Sequence, residues 1–466
     1  ASNNTAVGFR AMDKNTTGAN NVGIGHDSMR CTTTGGSNTA LGVCSLYTNV
    51  SGGANIAIGL NALRLNTASN NLAVGHCAMH DNSSGTENTA FGFTSLNKNT
   101  TGDCNTALGR GALNKNTSAD NNTAVGTYAL FSNTTGTRNV AVGCGALASN
   151  VNDNDNTAIG FDALTVNTGQ NNTALGTCAL RGNQTANDNT GIGMRSLFTN
   201  TTGASNTGLG FSSLKANTTG ASNTAVGKDA LIANTTGSSN VAVGKNTLDA
   251  NTTGGCLTAL GQGALGANTE GDFNTAVGQA ALGANTTADN NTAVGRLALG
   301  ANTTGNQLVA VGCGALAANT TGGCNTAVGK DAMLANTTGA NNAAVGQAAL
   351  DSNTEGNSNV AMGRNSLASN TTAGNNTGIG AFSLEQNVTG TGNTAVGQLS
   401  LNRNTASNNT AVGRQALEAN TTGTDNTAVG FGALDVNTTA INNTAVGRNA
   451  MGANTTGHRN TSVGKD

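Results

Sequence analysis

The sequence predicts an all-β protein, a β-solenoid of about 28 stacked coils with two short strands in each coil and a 17-residue repeat. Three observations lead there: a period that never lapses, columns of nearly fixed composition, and a complete lack of proline. The glycine of Asn-Thr-Ala-Val-Gly returns 28 times, from Gly8, Gly25 and Gly42 to Gly464. Of the 27 steps, 24 are 17 residues and three are 16: Gly59 to Gly75, Gly160 to Gly176 and Gly397 to Gly413. Self-similarity at one period along the whole chain means equivalent units that bury their faces on their neighbours. Average usage of about 5% would place roughly 23 prolines in a chain of this length. There are none. A chain whose backbone N–H groups nearly all belong to a ladder forbids proline, which has no donor.

Each unit reads by column when the Asn of Asn-Thr-Ala-Val-Gly is the first position and Asn4 opens the first coil. The first position is Asn in 26 of 28 units, the exceptions being Leu257 and Leu308. Stacked amides such as Asn4, Asn21, Asn38, Asn223 and Asn240 are expected to form a ladder along the stack. The fourth position is always apolar, as in Val7, Val226 and Val243, and is read as facing the core. The second is Thr or an apolar residue of similar size, read as half-buried on the same face. Alternation then sends the third position (Ala, Gly or Ser) and the invariant fifth glycine outward. So restricted an outward face implies either a close neighbour or tight coil curvature. The ninth position is Leu or Met, as in Met12, Leu231 and Leu248, and supplies the second core contact. Asn-Thr-Thr-Gly at the twelfth to fifteenth reads as a surface turn in which Asn and Gly accept left-handed dihedrals. The three short units lose their residue in that turn, where deletion costs least. At about 4.8 Å per coil, a single continuous solenoid over residues 1–466, without caps or linker, would form a rod roughly 130 Å long.

Composition removes several function classes. A net charge of -2 offers no basic footprint for nucleic acid, and no apolar run approaches a spanning segment. Only 9% of residues are charged, there is no Trp, and Tyr and Phe number two and ten, so neither a charged disordered tail nor a conventional aromatic core is expected. No base is paired with a nucleophile, so no enzyme activity and no cofactor are expected.

The units "NTAVGQAALGANTTADNNTAVG" and "NTAVGKDAMLANTTGANNAAVG" resemble the head repeats of trimeric autotransporter adhesins, whose strands carry a Ser/Asn-x-Ala-Ile/Val-Gly motif. They are similar too to the Asn-Thr-Ala-Val-Gly arrays of tail-fibre-like and surface proteins that often end in an endosialidase-type chaperone domain. The resemblance covers the whole chain and implies a trimeric, surface-exposed fibre. The period here is longer than the adhesin head's unit, and no anchor, coiled-coil stalk or chaperone domain is recognised.

Twenty turn asparagines stand in Asn-x-Ser/Thr sequons and are candidates for N-glycosylation: Asn15, Asn49, Asn82, Asn99, Asn116, Asn133, Asn183, Asn200, Asn217, Asn234, Asn251, Asn285, Asn302, Asn319, Asn336, Asn370, Asn387, Asn420, Asn437 and Asn454. Duplication copies one turn into many sequons, so their number is not independent evidence. No two of the nine cysteines occupy the same column in adjacent coils, which argues against a disulfide framework and for small fillers or exposed thiols. His76, Cys77 and His80, with His26 and Cys44 some coils away, are the only metal-like group, on a turn with no repeating partner; no metal site is assigned. "NDNDN" at Asn152 to Asn156 reads as a polar turn.

The resulting expectation is a structural extracellular filament or fibre shaft, on a cell or virion surface. It self-associates head to tail, laterally or as a trimer, and carries glycans if its sequons are used. The alternatives are an adhesin head or, with less support, an ice-binding solenoid, because one Thr column reads as inward and the other as a turn. Both terminal units keep ordinary core residues, Val7 and Val463, so the ends are expected either to continue in a longer chain or to be covered by other copies.

Overall fold

Asn-Thr-Ala-Val-Gly forms the same element in every coil of the computed structural model, which describes residues 1–465. Its second to fourth residues make one three-residue strand. The chain divides into two units, Ala1–Thr236 and Gly237–Asp466, with Asp466 itself outside the described residues. Unit 1 holds fourteen strands, from Thr5–Val7 to Thr224–Val226, and unit 2 fourteen more, from Val241–Val243 to Thr461–Val463. Within each unit every strand pairs in parallel with the strand of the next coil, residue for residue. Thr5 thus stands beside Val22 and Ala6 beside Gly23. The result is a β-solenoid, and among the described residues no helix is long and apolar enough to cross a membrane.

Each coil has one strand, not the expected two. The limb carrying the ninth residue is built from turns because its seventh and ninth residues are left-handed: Asp27 has φ 54°, Met29 51° and Leu231 50°. A bulky side chain at positive φ is uncommon and costs energy. Here the inverted peptides aim their donors along the stack. The Asp27 N–H donates to the Phe9 carbonyl of the preceding coil at 2.9 Å, and the Met29 N–H to the Ser45 carbonyl of the following one at 2.9 Å. Axial bonds of this kind recur at the second, fifth, seventh, ninth, eleventh, thirteenth and seventeenth positions. Proline is excluded for that reason.

The strand faces the opposite way from the expectation. Third-position alanines such as Ala40, Ala158 and Ala361 are fully buried, whereas Val7 is 57% and Leu175 43% exposed. Val226 and Val243 are half-exposed on the same outer face. The second-position residues lie outward with them. Met12, Leu231 and Leu248, the ninth-position residues, do point inward. The reason is volume. A Cβ built on Gly23 would lie 2.9 Å from Met12 Cε, and one on Gly191 3.1 Å from Leu180 Cγ. With Leu or Met across a thin coil, the strand has room for a methyl group and no more.

The invariant fifth glycine is explained by its own stack. Gly109 has φ +137° and Gly346 +136°, a region closed to other residues, and a Cβ on Gly346 would sit 2.7 Å from the Gly363 carbonyl of the next coil. The close neighbour inferred from this column is therefore the next coil. The fifteenth-position glycines, expected at positive φ, are not; the left-handed residue falls at the seventeenth, as in Asn20 and Ser37 at 60°.

Candidate functional site

Two amide ladders run inside each unit. Along the expected one, the Asn38 N–H donates to Asn21 Oδ1 at 2.9 Å, and Asn38 Nδ2 crosses its own coil to the Gly52 carbonyl at 3.0 Å. The second is built from the turn asparagines. Asn99 Nδ2 donates to Asn82 Oδ1 at 2.7 Å and to the Gly102 carbonyl at 2.9 Å, and Asn116 Nδ2 reaches Asn99 Oδ1 at 2.8 Å. Unit 2 repeats the scheme, with Asn359 and Asn370 both donating to the Ala373 carbonyl at 2.9 Å. One fifteenth-position carbonyl thus serves both ladders, which fixes the buried, small residue there.

The second ladder overturns the glycan assignment at eighteen of the twenty sites. Eighteen of the twenty sequon asparagines are wholly buried, all but Asn15 and Asn454. Their Nδ2 hydrogens are spent on the ladder and the turn carbonyl, so a glycan on that nitrogen would break both bonds and has no space. In the short coils the turn closes one residue early, Asn66 Nδ2 reaching the Ala68 carbonyl at 2.8 Å, while Asn82 Nδ2 still finds Asn66 Oδ1 at 2.6 Å. The deletions leave the ladder intact.

A third, partial ladder occupies the sixteenth position. The Asp103 N–H donates to Asp120 Oδ1 at 2.8 Å, and the Asp272 N–H to Asp289 Oδ1 at 2.7 Å. Its only sequence signal is the recurrence of Asp, Asn and Ser in that column.

What remains for recognition is the outside. The strand face presents a column of apolar fourth-position side chains, among them Leu41, Phe91, Leu209 and Met362, beside the second-position threonines. At the adjoining sixth position, unit 1 carries rings and cations. His76 stacks on Phe93 with centroids 5.2 Å apart, and the Arg110 guanidinium lies 5.9 Å from Phe93 and 5.6 Å from Tyr128. A shallow cleft of about 370 Å³ in unit 1 is lined by Arg181, Gln184, Phe198 and Thr199.

The remaining candidates separate. His76 Nε2 lies 3.9 Å from Cys77 Sγ, while His80 turns away to bond the Asp81 carboxylate, and His26 pairs with Asp27. Among the described residues no three His, Cys, Asp or Glu side chains are grouped to hold a metal. Burial pushes the Asp81 carboxyl up, but hydrogen bonds from Lys98 and His80 outweigh it and hold it below the usual range. In the polar turn, Asn152 accepts from Thr134 and Thr135, and Asp155 from Arg138. All nine cysteines are free thiols.

The fold and these surfaces define a repeat β-solenoid whose polar interior is consumed in its own ladders. Compared with known proteins, the chain matches no family model, and no curated protein is significantly similar to it.

Proposed function

We propose that this chain is the structural shaft of an extracellular fibre, on a cell or virion surface, in which copies associate laterally through the outward strand face. One observation carries the reading: the fourth column lays an unbroken apolar stripe along each unit, with Leu41 45%, Phe91 51% and Met362 42% exposed. Contiguous apolar surface of that kind marks an interface. A parallel bundle of copies would cover it at every coil, and the resemblance to adhesin heads accords with three. The experiment is electron microscopy of the purified chain beside a variant with Leu41→Lys, Leu175→Lys, Leu260→Lys and Met362→Lys. Bundled fibres are expected from the parent and single thin particles from the variant. Single particles from both would reject the reading.

A second reading gains from the same face. The second-position threonines of coils such as Thr377, Thr394, Thr410 and Thr427 lie outward, removing the ground on which ice binding was set aside. Thermal hysteresis in the parent chain would favour it over a shaft.

A further inference from the structure

The tenth and eleventh columns lie on the turn limb, away from the strand face, and their charges differ between the units. In unit 1 they carry seven cations, of which Arg30, Arg64, Lys98 and Lys115 stand on the second, fourth, sixth and seventh coils. In unit 2 they carry five acids, of which Asp351, Glu385, Glu418 and Asp435 stand on the twenty-first, twenty-third, twenty-fifth and twenty-sixth. The spacings are the same: two coils, two coils, one coil.

Resting on the reading of the chain as a self-associating shaft, we propose that this limb is a second contact between copies. The cationic ridge of unit 1 in one copy lies along the acidic ridge of unit 2 in the next, the chains running in the same direction and offset by nineteen coils. At that offset Asp351 meets Arg30, Glu385 meets Arg64, Glu418 meets Lys98 and Asp435 meets Lys115. On the coil between, Arg403 of unit 2 meets Asp81 of unit 1, so the reversal of sign inside these six coils is matched as well. The opposite direction also aligns four pairs, but its fourth, Lys14 with Asp435, falls on the coil that also carries Asp13, and it sets no charge of the second copy opposite Asp81. Parallel packing has no such conflict.

In the free chain Lys98 is held by Asp81 at 2.8 Å and Arg30 lies 3.8 Å from Asp27, while the other members of the four pairs form no ion pair among the described residues. None of the four acids of unit 2 has an ion pair among the described residues. Arg64 Nε is buried without a hydrogen-bond acceptor, its guanidinium held 5.7 Å from the Tyr47 ring, and the Lys115 ammonium lies 5.2 Å over Phe131. Burial, with the neighbouring Asp331 charge, raises the Asp351 carboxyl above its ordinary range, as an acid without a cation behaves. A contact joining different patches of two copies is heterologous and does not close, so it extends a fibre along its axis. Pairs of this kind also set register and partner choice.

The test uses three full-length variants and sedimentation across salt. The first carries Arg30→Glu, Arg64→Glu, Lys98→Glu and Lys115→Glu. The second carries Asp351→Lys, Glu385→Lys, Glu418→Lys and Asp435→Lys. The third carries both sets. Each singly reversed chain should associate about tenfold or more weakly at low salt, the 1:1 mixture of the two should recover it, and the third chain should assemble like the parent. Salt near 1 M should abolish the difference, since the Debye length falls to about 3 Å. Unchanged circular dichroism checks that each variant folds. Assembly of the single reversals like the parent, or no recovery in the mixture, overturns the proposal. If the parent does not self-associate at any salt, the shaft reading fails with it; if the parent forms fibres indifferent to these charges, only the ridge contact fails.

Discussion

Units 1 and 2 are built on the same interior and dressed differently. Both bury Asn at the first and twelfth positions, Ala, Gly or Ser at the third and Leu or Met at the ninth, apart from Thr32 in the twelfth column of unit 1 and Leu257 and Leu308 in the first column of unit 2. Nine of the twelve Phe and Tyr residues lie in unit 1, and its tenth and eleventh columns are cationic. In unit 2 the same columns run, after Asp249, through Gly266, Ala267, Gly283, Ala284, Gly300 and Ala301 before turning acidic again. The inner columns are constrained by contacts with the next coil, the outer ones only by what they meet. The difference between the units therefore lies where recognition has to lie.

If that is right, equivalent inner changes should cost the same in both units. Leu147→Asp and Leu350→Asp each put an unpaired carboxylate in a fully buried column and should cost about 4 kcal/mol or more. Hydrogen exchange, which reads opening coil by coil, is the suitable measurement. A large difference between the two would break the equivalence of the interiors.

Gly109→Ala and Gly346→Ala come next. Each forces a side chain into a positive-φ position against the next coil's carbonyl, at a cost of about 2 kcal/mol or more. Somewhat smaller losses, about 1 to 3 kcal/mol, are expected for Asn99→Ala and Asn319→Ala, which strand the carbonyl oxygens of Asn82 and Asn302 inside the ladder. Intact-mass analysis of native material should show these asparagines unmodified; glycans on them would break the ladder assignment. By contrast, Leu175→Lys and Leu260→Lys on the strand face should change local opening by no more than about 0.5 kcal/mol in the dissociated chain.

The smallest effect separates the units by sign. The Asp81 carboxyl of unit 1 is held low, so its contribution is present above the ordinary carboxylate range and is lost as pH falls through its folded value. The Asp351 carboxyl of unit 2 is held high by burial and by Asp331, so ionisation opposes folding, and the penalty vanishes as pH falls through its folded value. At neutral pH, Asp81→Asn should loosen its coil and Asp351→Asn should leave its coil unchanged or tighter, both by under about 1 kcal/mol. Effects of the same sign would show that the two acids share one environment.

Reading the sites was uneven for a physical reason. The first-position ladder was legible because Asn persists there with little variation, and the ninth column because nothing but Leu or Met fills it. The twelfth-position ladder looked like a surface turn, since Asn-Thr-Thr-Gly is a common turn composition. Only the crossing of Asn49 Nδ2 to the Gly52 carbonyl at 2.8 Å, the same atom that Asn38 uses, shows that it lies inside. The ridge of opposite charges was present in the sequence but had no meaning until the tenth and eleventh columns shared a limb.

The sequence by itself determined the period, the number of coils, the exclusion of proline and the inward Leu/Met column, because each follows from repetition and from the need of backbone donors for partners. It could not determine which side of the strand faces in. Alternation allows two choices, and hydrophobicity favoured burying Val7, Val226 and Val243. The tertiary structure decided for alanine. Once two amide ladders and a leucine occupy so thin a coil, the space left opposite the strand holds a methyl group, and packing volume prevails over transfer free energy.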